Sequence, residues 1–64
     1  MPTTDLLARV RTAWDEPTLH TRLVDGTWYV CTHDPWDCDY GEGPTERAAL
    51  VDALEAAPEV QHGD

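Results

Sequence analysis

Four side chains of this chain are of the types that bind zinc or activate a nucleophile: His20, Cys31, His33 and Cys38. Thiolates and imidazoles suit zinc, and Asp34 or Asp37 would complete a tetrahedron. The Cys31-x6-Cys38 spacing, however, matches neither a paired-cysteine knuckle nor the tighter pairs of a zinc ribbon. The plainer reading is two thiols and two surface imidazoles. Asp37-x-Asp39-x-Gly41 invites a calcium reading, but an EF-hand loop needs glycine sixth and a bidentate acid twelfth. Counted from Asp37, glycine comes fifth and Ala48 stands twelfth; counted from Asp34, Thr45 stands twelfth. The chain has no serine, which removes a serine nucleophile. Cys31 or Cys38 beside His33 would make a thiolate–imidazole pair, but the surrounding carboxylates oppose thiolate formation. Neither a cofactor, nor a metal, nor an enzymatic activity is expected.

The chemistry that remains is electrostatic. Residues 34–46 hold five carboxylates (Asp34, Asp37, Asp39, Glu42, Glu46), no base, and the aromatics Trp36 and Tyr40. Thirteen acids against four arginines and no lysine give a net charge of −9. Residues 1–33 carry four acids and three arginines, a net of −1, whereas residues 34–64 carry nine acids and Arg47 alone, a net of −8. A chain of this kind repels nucleic acid and anionic membranes and is drawn to basic surfaces. Solubility alone is the bland explanation. One-sidedness argues for more, because self-repulsion costs stability that a small core can ill spare.

These residues must be positioned by few elements. Sixty-four residues make one small domain near the lower size limit for a core without staples. Leu6, Leu7, Val10, Ala13 and Trp14 form one apolar stripe, which predicts a helix from about Thr4 to Asp15. Thr3 or Thr4 would cap it, Asp5 suits its first turn, and Pro17 forbids continuation. Met1 and Pro2 are expected to be loose. Asp25-Gly26 between two β-rich runs predicts a type I′ hairpin, which pairs Val24 with Thr27, Leu23 with Trp28, Arg22 with Tyr29, Thr21 with Val30 and His20 with Cys31. That register puts Leu19, Leu23, Trp28 and Val30 on the core face, and His20, Arg22, Tyr29, Cys31 and His33 on the other.

After the acidic loop, Thr45 is the expected N-cap of a helix from Glu46 to about Ala57, with Leu50, Val51, Leu54 and Ala57 as its apolar stripe. Pro58 ends it, and Glu59 to Asp64 reads as a frayed tail. The expected class is α+β, in the order α-β-β-α, with both helices on one face of an antiparallel hairpin. A two-stranded sheet is a thin platform, and part of residues 36–40 is placed to add a short third strand. No apolar run is long enough to span a membrane, and the N-terminus lacks a signal-peptide pattern. The cytoplasm is therefore expected, with both cysteines as thiols.

Duplex DNA presents regularly spaced phosphates, and proteins grip it with Lys and Arg lining a groove. Asp34, Asp37, Asp39, Glu42 and Glu46 would form a row of carboxylates that imitates it, continued by Asp52 and Glu55 on the exposed helix face. Trp36 and Tyr40 would anchor such an interface, or else lid the small core. In size, negative charge, α-β-β-α plan and want of an enzyme motif, the chain resembles the small acidic anti-CRISPR proteins of phages. The segment from Gly41 to Ala57, following the Trp-containing strand Thr27–Thr32, is also similar to small phage sandwich-domain proteins. The resemblance implies an inhibitor acting in the bacterial host, bound to a basic DNA-binding subunit of a CRISPR surveillance complex. A monomer is expected, with a dimer as the alternative. A generic interaction module and, behind it, a small zinc domain are the competing readings.

Overall fold

A computed structural model describes residues 2–58. The elements run α1 (Thr3–Trp14), β1 (His20–Val24), β2 (Thr27–Cys31), β3 (Gly41–Gly43) and α2 (Glu46–Ala56). The class is α+β, with two helices and one antiparallel sheet in the order β1-β2-β3. The expectations for Met1 and for the tail from Glu59 to Asp64 lie outside the described residues.

α1 starts one residue earlier than expected, because Pro2 rather than a threonine takes the N-cap and no side chain caps the end. Its carbonyl accepts from the Leu6 amide at 3.1 Å, so Pro2 is held rather than loose. Asp5 lies in the first turn, where the helix dipole favours an anion. At the other end Asp15 adopts a left-handed conformation (φ 55°). The amides of Asp15 and Glu16 then reach back to the carbonyls of Thr12 and Arg11, a Schellman closure normally given to glycine.

The hairpin forms in the expected register, residue for residue from His20↔Cys31 to Val24↔Thr27. Asp25 and Gly26 both have positive φ (52° and 81°), as a type I′ turn requires. A third strand is present, at Gly41–Gly43 rather than within residues 36–40, pairing Trp28↔Gly43, Tyr29↔Glu42 and Val30↔Gly41. Directly opposed residues share a face, so Gly41 and Gly43 lie beside Val30 and Trp28. A Cβ built on Gly41 would stand 2.6 Å from the Ala49 carbonyl oxygen and 2.7 Å from Ala53 Cβ; on Gly43 it would stand 2.7 Å from Ala48 Cβ. Two glycines and three alanines thus let the β3 and α2 backbones meet.

That seam decides the core. α2 packs across all three strands, most closely on β3, and α1 packs against α2. The buried cluster is Leu6, Val10, Leu19, Val30, Ala49, Leu50 and Ala53. Thr45 caps α2, its Oγ1 accepting from the Ala48 amide at 3.0 Å. The buried stripe of α2 is rotated toward Ala49, Leu50 and Ala53, leaving Val51 exposed, because the glycine strand draws the alanine side inward. Leu23 is also a correction: it is 54% exposed, since the hairpin tip on β1 lies away from the strand that α2 covers best.

Candidate partner-binding surface

Residues 32–40 cross from the end of β2 to β3, and their shape comes from short-range hydrogen bonds. Thr32, buried, donates its amide to the Asp37 carbonyl at 3.0 Å and its hydroxyl to Asp37 Oδ2 at 3.3 Å. Its Oγ1 also accepts from the Asp34 amide at 3.2 Å. Asp34 Oδ1 in turn accepts from the Trp36 amide at 3.0 Å, an Asx turn of the kind aspartate favours. Asp37 Oδ2 accepts a further bond from the Tyr40 hydroxyl at 3.4 Å.

Trp36 and Tyr40 have parted ways. Trp36 is 89% exposed, so it does not lid the core. Tyr40 does: its ring meets Trp14 edge-to-face with centroids 4.8 Å apart, and Trp14 Nε1 donates to the Ala53 carbonyl at 2.8 Å. Burial, and then the negative charge of Asp37, push the Tyr40 phenol above its ordinary pKa. Tyr40 therefore stays protonated and can donate to Asp37.

Cys31 and Cys38 are joined by a disulfide, which corrects the expectation of two thiols. Cys31 is fully buried although it lies on the sheet face away from α2. The bond ties the returning loop to that end of the face, where Cys31 is shielded from water. The bond also takes both sulfurs out of a zinc site with His20 and His33, and no group of three or more His, Cys, Asp or Glu among the described residues could hold a metal ion. No thiol remains for a thiolate–imidazole pair in this state.

The carboxylates expected to form one row fall into two kinds. Asp34 and Asp37 shape the loop as above. Glu46 accepts from the Thr21 hydroxyl at 2.5 Å and ties α2 to β1. Asp52 Oδ2 accepts from the Glu42 amide at 3.0 Å on the β3 edge. Asp39, Glu42 and Glu55 are exposed. Asp39, Glu42 and Asp52 converge on an open cleft of about 250 Å³ with Tyr29, Cys38 and Gly41. Glu55 faces a second groove along α2, beside Arg47 and Val51, which shares Asp52 with the first. Tyr29 is the residue that sequence reasoning left outside the site. Its signal was its place on the polar hairpin face, and the pairing with Glu42 brings it in.

Away from this surface, Glu16 accepts from the Thr18 hydroxyl at 2.5 Å and from the Thr18 amide at 3.3 Å. Those bonds hold its carboxyl below the usual range. No helix among the described residues is long and apolar enough to cross a membrane. No family model, curated protein or solved structure matches the chain.

Proposed function

We propose that this protein is a non-enzymatic inhibitor that seats its acidic side on a basic, DNA-recruiting protein surface and competes with DNA there. The partner we propose, from the resemblance to anti-CRISPR proteins, is a DNA-binding subunit of a CRISPR surveillance complex in the bacterial host. The observation that carries the reading is the convergence of Asp39, Glu42 and Asp52 on one cleft, in the half of the chain whose net charge is −8. Carboxylates gathered in one cleft sum to a negative potential that attracts a basic partner. Trp36, exposed on the adjoining loop, adds a large apolar anchor of the kind that dominates interface energies.

The test separates charge from folding. Asp39→Asn with Glu42→Gln removes two exposed charges without touching the hydrogen bonds of Asp34, Asp37, Glu46 or Asp52. The fold should persist and binding to the basic surface should weaken by ~2–5 kcal/mol if the pair sits at the interface centre. Wild-type association should slow steeply as salt is raised, and added DNA should displace the protein. Undiminished binding by the neutralised variant, together with salt-independent association, would sink the mimicry and leave solubility as the role of the acids.

A further inference from the structure

The disulfide does something the acidic surface alone does not explain. It joins the last residue of β2 to a loop position seven residues on and so closes a ring that contains the exposed Trp36. We propose that the Cys31–Cys38 bond is a redox-operated clasp on the binding surface. Oxidised, it fixes residues 32–37 as a rigid mount for Trp36; reduced, it releases them and leaves the fold standing. This rests on the reading of that loop as part of the recognition surface.

Three observations carry the inference. First, the buried core cluster consists of Leu6, Val10, Leu19, Val30, Ala49, Leu50 and Ala53, and none of these lies between Cys31 and Gly41. Opening the bond therefore reaches the buried interior only at Cys31 itself and the adjoining Thr32. Second, residues 32–37 are otherwise tied by short-range hydrogen bonds among Thr32, Asp34, Trp36 and Asp37, and by the hydroxyl of Tyr40, whose ring is anchored on Trp14. Water competes well for the exposed bond between Asp34 and Trp36, whereas the bonds of buried Thr32 last only while the loop is held against it. Third, the two sulfurs differ in access. Cys31 is fully buried, whereas Cys38 is half-buried and lines the open cleft.

That asymmetry sets the direction of exchange. A thiolate of a dithiol reductant attacks Cys38 Sγ, forms a mixed disulfide with it, and expels Cys31 as the leaving thiolate, which takes up a proton. The reductant's second thiol gives up its proton and attacks its own mixed-disulfide sulfur. That step releases Cys38, which is protonated to a thiol, and closes the reductant as a disulfide. Two electrons pass from the dithiol to the cysteine pair, and each cysteine gains one proton. An oxidant of the disulfide class restores the clasp by the reverse steps.

The experiment follows amide hydrogen exchange by NMR on the full chain, oxidised and in dithiothreitol, with the double variant Cys31→Ala, Cys38→Ala as a locked-open reference. The Thr32 and Asp37 amides should exchange at least about tenfold faster in the reduced and variant proteins, while Val30 and Leu50 keep their protection. Reoxidation should restore the loop. In parallel, affinity for an Arg/Lys-rich peptide probe should fall about tenfold on reduction, because a loosened loop must be ordered on binding. Unchanged exchange at Thr32 and Asp37 overturns the clasp. Loss of protection at Val30 and Leu50 overturns it too, since the bond would then be a staple for the whole fold. Equal affinity of both forms for the peptide ends the gate but spares the acidic-surface reading; no affinity in the oxidised form fails that reading, and the gate with it.

Discussion

At one edge of the sheet, β3 has hydrogen atoms for side chains at Gly41 and Gly43, and α2 lies directly on its backbone. At the other edge, β1 carries Leu23 and Val24, exposed at 54% and 42%, with His20 and Arg22 also in solvent. β3 is only three residues long, yet it is the strand that α2 engages most closely. Its outward Glu42 amide, which would otherwise invite another strand, is taken by Asp52. β1 is the opposite edge strand, and its exposed Arg22 is a charge of the kind that discourages pairing. A small chain cannot close every edge. This one concentrates backbone-to-backbone packing on the side where its charge is densest and leaves the less charged side loosely finished.

The largest effect should come from the glycine seam. Gly41→Val forces β3 and α2 apart, because even a Cβ would stand 2.6 Å from the Ala49 carbonyl oxygen. Overpacking of this sort costs roughly 1–3 kcal/mol or more, and a domain this small holds little beyond that. Thermal unfolding followed by circular dichroism should show a much lower midpoint or no cooperative transition. A midpoint near wild type would mean that the β3–α2 contact is not what holds the sheet to the helices.

A smaller loss is expected at the seal. Asp52→Ala leaves the Glu42 amide to water and should cost about 1 kcal/mol, the usual net value of one partly exposed hydrogen bond. Exchange of the Glu42 amide should quicken selectively. Sedimentation at rising concentration should also reveal more self-association than in wild type, because the edge is now open. If the variant remains as monodisperse and as protected as wild type, the two edges differ in packing only and not in how they are guarded.

The least change belongs to the open edge. Leu23→Thr on β1 replaces an exposed apolar residue with a good strand former and should alter stability by no more than ~0.5 kcal/mol. Were it to destabilise as Gly41→Val does, the hairpin tip would have to be packed in solution, and the contrast between the edges would fall.

The hairpin and the second helix were legible from the sequence because their signals are local. Asp25-Gly26 dictates the turn, and the turn dictates the register of every pair from His20 to Cys31. Thr45 and Pro44 mark where α2 begins, as the Thr45 cap bears out. The excess of acids after residue 33 is likewise a property of composition. What the sequence could not decide is how far along its apolar face the sheet is covered, and by what. Period-two alternation places Leu23 with Val30, yet only Val30 is buried, because burial depends on how far α2 reaches across the sheet. Glycine weakens a strand, and Gly41 and Gly43 form one only because an alanine face is there to receive them. Cys31 and Cys38 looked like unrelated thiols until the loop folded back. Trp36 and Tyr40, near neighbours in sequence, were separated into a surface anchor and a core lid by the position of Trp14 on another element. Turns and caps are set by neighbours along the chain and can be read from it; partners across the chain are set by packing, and only the tertiary structure chooses them.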